Sequence, residues 1–370
     1  MTSLPDTTRK ALGRRWLLGI ASLFLAALAA FAVLCLHYPE WLTTPELRAV
    51  YPMKLVRALI AGGIVAAAGL GAFAVAFYRG RQLGALGLAL ALGAQLAGGA
   101  WVEVTTPVAR SNHLGLDWLA LDLLLLAVVF VPLERAFARL PEQPVFRRGW
   151  RTDLAYFFVS HLLVQLLTLA TVTPALLLFR WAAWPVLQGA VAALPLAVQL
   201  LLAVVAADLA SYAAHRTFHA VPWLWRFHAI HHSSEALDWL AGSRLHLVDV
   251  IVTRAIAFVP LFVLGFEPGV LAAYLVWVAT QATWINANLG ARTGWLDHAL
   301  VTPRFHHWHH AAEPAAKDKN FAVHFPWIDR LFGTHFLPAD AWPARYGVLE
   351  DAPPARFAAQ LLWPFSQRPG

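Results

Sequence analysis

A single cysteine, Cys35, stands in 370 residues. A disulfide framework, a cysteine-based zinc site and an iron–sulfur cluster are therefore excluded within one chain, and a metal bound here takes histidine or carboxylate ligands. Charge is equally scarce. Asp, Glu, Lys and Arg make up 13% of the chain, about half the share in an ordinary soluble domain, while apolar residues reach 59%. Such a chain is a membrane protein. Its net charge of +7 rests on few positions, which are expected at membrane borders as orientation signals and not as a nucleic-acid patch, so no nucleic-acid partner is expected. No strand–GxGxxG–helix fingerprint, no segment resembling a fused haem domain and no repeat of about 20–50 residues is present. The 24 arginines against 4 lysines, with abundant Ala and Leu, are the bias of a high-GC bacterial genome, and the expected location is the bacterial inner membrane.

Crossing a hydrocarbon core of about 30 Å takes roughly 20 apolar residues in a helix. Such runs lie at about 16–36, 56–78, 83–101, 116–133, 154–179 and 190–210, and a longer one, 250–288, is broken at Gly265-Phe266-Glu267-Pro268-Gly269 into a helical hairpin. The expected fold is an all-α integral membrane protein of six to eight transmembrane helices. Arg9, Lys10, Arg14 and Arg15 precede the first run and no small-residue cleavage site ends it, so it reads as a retained helix with a cytoplasmic N-terminus. Threading from there puts Arg79, Arg81 and the loop Arg135, Arg139, Arg147, Arg148 and Arg151 inside, as the positive-inside rule requires. Arg48, Lys54 and Arg57 fall outside, diluted by Glu40 and Glu46. Residues after 210 and after 288 land in the cytoplasm. Gly62, Gly63, Gly69 and Gly71 read as a helix-packing face, not as a nucleotide loop. Three regions are expected: a four-span module at 1–145, a second domain at 146–338, and a Pro/Ala-rich tail at 339–370.

Eleven of the 16 histidines fall within residues 215–310. Nine of them read His215-Arg-Thr-Phe-His219, then His228-Ala-Ile-His231-His232, then His306-His307-Trp308-His309-His310. On a helix, positions i, i+3 and i+4 share an arc of about 100°, so the members of each group project together, except His307, which lies off the stripe. Imidazolium ions packed this closely would repel, so the cluster is tolerable when neutral and metal-bound. The eight rings His215, His219, His228, His231, His232, His306, His309 and His310 suffice for two metal ions with positions left for a small molecule. His37, His113, His161, His298 and His335 read as structural or surface residues. Asp208 and Tyr212 share a helix face with His215, and an acid at that depth needs a partner. Asp208 is expected to hydrogen-bond the outer nitrogen of a ligand histidine. Glu235, Asp238, Arg244, His246 and Asp249 form an outer polar shell or a plain loop.

At these residues the sequence resembles the fatty acid hydroxylase and sterol desaturase superfamily, membrane di-iron oxygenases marked by HxxxH, HxxHH and HxxHH. The likeness extends from Asp153-Leu-Ala-Tyr156 through Asp208-Leu-Ala-Ser-Tyr212, Pro222-Trp-Leu-Trp-Arg-Phe-His228 and Val301-Thr-Pro-Arg-Phe-His306 to Asp329-Arg-Leu-Phe-Gly-Thr334. One departure stands at Trp284-Ile-Asn286-Ala-Asn288, where many relatives carry histidine at the position of Asn286. Asn286, His246 and His324 are therefore candidate additional ligands. The resemblance implies two iron ions that activate dioxygen on the cytoplasmic face and a lipid substrate of sterol-like or fatty-acyl kind that is hydroxylated, with desaturation, which shares the same first hydrogen removal, as the alternative within the family. Electrons must come from a separate reductase or ferredoxin. Trp223, Trp225, Trp239, Trp295, Trp308 and Trp327 would suit an interfacial belt. A divalent-metal transporter is the alternative of another class, disfavoured because its sites usually lie at broken helices near the midplane.

Overall fold

The computed structural model describes residues 6–50, 52–77, 81–104, 114–162, 177, 179–291, 293–339 and 341–366. Among them the chain is all-α, without a strand, and seven helices are long and apolar enough to cross a membrane. It divides into two compact units, 1–122 and 123–370.

In the first unit α1 (Asp6–His37), α2 (Met53–Phe77) and α3 (Arg81–Leu96) pack on one another. Helices gain little from apolar burial when lipid is the alternative, so their association rests on close packing of small residues. The seam is accordingly rich in alanine: Ala26, Ala29, Ala67, Ala91 and Ala94. Ser22 of α1 donates its hydroxyl to the Ala67 carbonyl of α2 at 2.7 Å. The close approach falls on Gly71, Gly84 and Gly87, whereas Gly62 and Gly69 face open space and Gly63 makes only an ordinary contact with Ala29. Of the expected glycine face, Gly71 alone packs tightly. Arg57 donates to the Ala100 and Val102 carbonyls, and Arg48 to those of Pro39 and Thr43. These two guanidiniums thus satisfy carbonyls at the ends of short helical turns.

Helix α4 (Leu116–Ala136) runs through the division at 122. The second unit continues with α5 (Trp150–Leu162), α6 (Leu196–Ala220), α7 (Pro222–His232), α8 (Leu247–Leu264) and α9 (Pro268–Asn286). Short helices α10 (Pro303–His309), α11 (Pro326–Leu331) and α12 (Phe357–Ser366) follow. Of the span expected at 154–179, residues 163–176 lie outside the described set. The span expected to end near 210 continues as one helix to Ala220, so His215 and His219 occupy its last turns. The residue before a proline is driven to extended backbone; Val221, with φ −100° and ψ 113°, separates α6 from α7, which opens on Pro222. Gly265, at φ +67°, ends α8 where a Cβ would strike Gln188, and Pro268 opens α9, giving the expected hairpin.

The expected regions shift in two places. The units part at 122, not 145. The tail is not separate: Phe357 packs edge-on against Tyr156, Gln360 is fully buried, and Arg139 and His307 both bond the Tyr346 hydroxyl. Its composition hid this because single anchors, not a periodic face, hold it down.

Gly87→Ala would bring a Cβ to 2.7 Å from the Leu23 amide nitrogen and 2.8 Å from the Ser22 carbonyl carbon. It is expected to lower stability by about 1–3 kcal/mol through overpacking, while Gly93→Ala, with nothing within 4 Å, leaves the melting temperature in detergent unchanged or higher.

Candidate metal centre

The α6–α7 break folds His215 and His219 back toward His228, His231 and His232. Thr302, an N-cap whose hydroxyl accepts from the Phe305 amide, with Pro303 behind it, launches α10 and its histidines toward the same place. One nitrogen from each of His215, His219, His228, His232 and His309 lies within 4.8 Å of the others, and His231, His306 and His310 form a second such group. The groups adjoin: ring centroids of His232 and His310 are 4.5 Å apart, as are those of His231 and His310. The structure thus brings all eight expected rings together but regroups them across the three motifs, with His231 parting from His228 and His232. His307 stays out, bonded to Tyr346 and the Ala287 carbonyl.

Oxygen acceptors fix which nitrogen faces inward. Nδ1 of His215 donates to the Phe321 carbonyl at 2.8 Å, His228 to Asp249 at 2.7 Å, and His309 to the Lys319 carbonyl at 2.7 Å. His219 and His231 donate likewise to Asp318 at 3.3 Å and to the Arg244 carbonyl at 3.2 Å. A neutral imidazole carries one N–H, so the opposite Nε2 of each ring presents a lone pair. Nε2 of His215 and of His228 face each other at 2.9 Å, and Nε2 of His219, His232 and His309 and Nδ1 of His310 are buried without a partner. The inward Nε2 lone pairs of His215, His219, His228 and His309 converge with no donor among them, and Nε2 of His306 meets Nε2 of His310 at 3.0 Å; such a gathering is the donor set of a metal cation, and the residues present fit one. Burial pushes His228, His232, His306, His309 and His310 well below the ordinary imidazole range, and His231 to about 3, with neighbouring imidazoles adding to the shift. The rings are therefore neutral ligands at physiological pH.

Two polar assemblies carry the acceptors. Arg147, buried, bridges Asp153 and Asp238 at 2.7 Å each, and Arg244 pairs with Asp153 at 2.5 Å while its carbonyl takes the His231 proton. The second is the segment 318–325. Asp318 and Asn320 adopt left-handed backbone at φ 55° and 60°, which aims the Lys319 carbonyl at His309, and the Asn320 side chain ties the Phe305 and Phe336 backbones. Asp329 accepts from the amides of Phe321 and Ala322, and Asp208 from those of Val323, His324 and Phe325.

Several expectations are corrected here. Asp208 bonds no histidine ring; it holds the segment whose Phe321 carbonyl orients His215. Tyr212 bonds Thr334 and Arg216 instead of a ligand. His246 caps α8 through Nδ1 and meets the Leu361 carbonyl through Nε2, so both its nitrogens are engaged. His324 accepts from the Trp277 indole and joins neither group. Asn286 is buried, donates to the Ala282 carbonyl and keeps a buried, unpartnered Oδ1. Trp239 and Trp308 are core residues, whereas Trp223, Trp295 and Trp327 are exposed. Of the scattered histidines, His37 bonds the Ala97 carbonyl and His298 bonds Arg330, and His113 lies outside the described residues. Sequence reasoning missed Asp318 and the Lys319 and Phe321 carbonyls as ring partners.

Residues 200–334 match the fatty acid hydroxylase family. Over 178 residues the chain is 34% identical to ornithine lipid hydroxylase OlsE of Rhizobium tropici, a match covering 47% of this chain and 52% of that protein. It is also 34% identical over 137 residues to alkylglycerol monooxygenase of Danio rerio, covering 37% of this chain and 30% of that one. The human alkylglycerol monooxygenase is 34% identical over 127 residues, covering 34% and 28%. The chain thus spans about half the length, or less, of these curated relatives. No solved structure matches it.

Asp249→Ala strips the acceptor from His228 and is expected to weaken metal binding about tenfold or more, whereas Asp249→Asn, which retains an acceptor oxygen, loses less; metal per chain by plasma mass spectrometry after dialysis checks both. His324, outside the cluster, is held by burial at about 4. Its folded form thus binds fewer protons than the unfolded chain between about pH 6.5 and that value, so it contributes stability above this window that is lost as pH falls through it. His324→Gln, which can still accept from Trp277, is expected to flatten the fall of melting temperature between about pH 7 and about pH 5.

Proposed function

From the membership of residues 200–334 in the fatty acid hydroxylase superfamily, we propose that this chain is a membrane-bound, dioxygen-dependent lipid hydroxylase with a non-haem di-iron centre. The observation that carries this reading is the convergence of eight neutral imidazoles, in groups of five and three, with the inward nitrogens of His215, His219, His228 and His309 left without a proton. His215, His219, His228, His232 and His309 hold one ion; His231, His306 and His310 hold the other, and three protein ligands leave positions there for a small molecule. Two irons with dioxygen supply an oxidant able to take hydrogen from an unactivated C–H bond and return oxygen to that carbon.

The chain's own residues do the rest. Asp249, the Arg244 carbonyl and the 318–325 segment fix each ring so that the ligands do not reorganise during turnover. No side chain is required as a base for the hydrogen removal. Burial of the three-histidine group keeps bulk water from the oxidant, while α6, α8 and α9, spans whose ends meet at the cluster, let a lipid approach laterally from the bilayer. Hydroxylation is favoured over desaturation because the relatives are named hydroxylase and monooxygenase. A separate reductase or ferredoxin-type protein supplies electrons. The histidine end faces the cytoplasm of a bacterial plasma membrane on this reading. It is supported by the arginine-rich 135–151 segment, which lies at the same end of its unit: Arg147 and Arg244 share Asp153, and Glu134 takes the amides of Trp239 and Asn288.

Lipid extracts of cells expressing the wild type, compared by mass with extracts of cells expressing His309→Ala with His310→Ala under air and with iron supplied, test the reading. A lipid heavier by one oxygen atom in the wild type alone is expected. A product lighter by two hydrogens would make the chain a desaturase, and iron-loaded wild type that alters no lipid when given a reductase would overturn the assignment.

A further inference from the structure

Charges inside the spans of this chain are almost all matched by protein partners. Arg57 caps two carbonyls, Arg216 reaches the Tyr212 hydroxyl, Glu134 accepts two amides, Asp208 accepts three, and Asp249 takes His228 and Thr253. Arg254 is the exception. It lies in the interior of α8, seven residues from its start and ten from its end, its side chain is exposed, and among the described residues it makes no hydrogen bond and no ion pair. Asp208, on α6, is saturated by amides and does not pair with it.

An unpaired guanidinium in hydrocarbon costs several kcal/mol, and nothing in α8 requires one. It is retained at a particular depth, about 10 Å from the start of the helix at a rise of about 1.5 Å per residue. That start is the histidine end, because Asp249, five residues earlier and about 7 Å back along the axis, holds His228. Side chains on a helix lean toward its N-terminus, so the guanidinium is directed back toward the metal groups and the interface. A permanent cation thus stands exposed and unpaired on α8, in the half of the helix nearer the histidine end. Its complement is an anion delivered from the membrane.

We propose that Arg254 binds the acidic headgroup, phosphate or carboxylate, of the lipid substrate. This rests on the lipid-hydroxylase reading and narrows it: the substrate carries an anionic group, and that group sets which carbon meets the metal centre. Headgroup binding costs the protein nothing in internal contacts, since Arg254 serves no protein partner. Its side chain is therefore replaceable without loss of the fold.

The test uses the whole chain with Arg254→Leu and Arg254→Lys, purified in mixed micelles of phosphatidylglycerol and phosphatidylcholine. Retained lipid per chain is read by mass spectrometry. The wild type is expected to enrich phosphatidylglycerol, Arg254→Leu to lose that preference about tenfold or more, and Arg254→Lys to keep part. The melting temperature of Arg254→Leu should equal or exceed that of the wild type. In turnover, KM for acidic lipids should rise in Arg254→Leu with kcat little changed, and neutral lipids should be unaffected. Unchanged phosphatidylglycerol retention in Arg254→Leu would overturn the proposal, as would a marked fall in melting temperature, which would reveal a protein partner. Retention lost with KM unaltered would mean an adjacent structural lipid and would overturn the assignment to substrate. The retention measurement needs no turnover, so it judges Arg254 even if the hydroxylase reading fails.

Discussion

Lone pairs that point at one another cannot coexist in a protein interior without a cation, and the centre of this molecule is built from them. His215 and His228 bring their Nε2 atoms to 2.9 Å while both Nδ1 protons are committed outward. Protonation would relieve one pair, but burial holds the rings neutral, and charging several at once would set imidazolium against imidazolium. The remaining design follows from keeping those outward protons engaged. Each ring needs an oxygen at its outer edge, each oxygen needs a rigid carrier, and the carriers come from parts of the chain far apart in sequence.

Two carboxylates show how the carriers are held. Asp208, on a spanning helix, and Asp329, on a short helix beyond the third motif, divide five consecutive amides between them, three to the first and two to the second. Hydrogen bonds to a charged acceptor contribute about 1.5–3 kcal/mol each, and removal of either acid would leave buried amides unsatisfied. The bonds therefore fix a segment that has no regular structure of its own, and that segment supplies the acceptors for His215, His219 and His309. A membrane helix is thereby coupled to the metal ligands through backbone geometry instead of through a direct side-chain contact. The acid at depth is matched, as its cost demanded, but by main-chain donors.

This explains what the sequence made legible and what it did not. Hydropathy runs gave the spans because length and apolar content are local properties, and Gly265 with Pro268 marked the α8–α9 turn. Histidine spacing identified the eight rings because helical periodicity is local as well. The partition into five and three was not legible: His231 and His232 are adjacent in sequence, and only the placement of α10 against α7 sends them to different groups. Carbonyl partners left no sequence signal, since every residue has a carbonyl; Lys319 is chosen by the left-handed backbone on either side of it. Asp208 was correctly seen to need a partner, yet its partners are amides more than a hundred positions away. The tail escaped notice because Tyr346, Phe357 and Gln360 act as isolated anchors without a period.

The two groups also differ in their access to the surroundings. All three members of the smaller group are buried, as are His228, His232 and His309. The larger group reaches the surface through His219, whose partner Asp318 has a side chain about half exposed, at 53%. That edge is flanked by Lys317 and Lys319 and built on left-handed backbone, so it is rigid where an exposed loop would ordinarily move. The smaller group is closed off from water on that side by the larger one and tied from behind through the Arg244 carbonyl to the buried Arg147–Asp153–Asp238 assembly. On the two-ion reading proposed above, one position would lie nearer solvent, rich in nitrogen ligands, and the other would be enclosed with fewer. The enclosed position would be the one able to keep free coordination sites without filling them from bulk water, and behind it buried ion pairs hold a single ring in place.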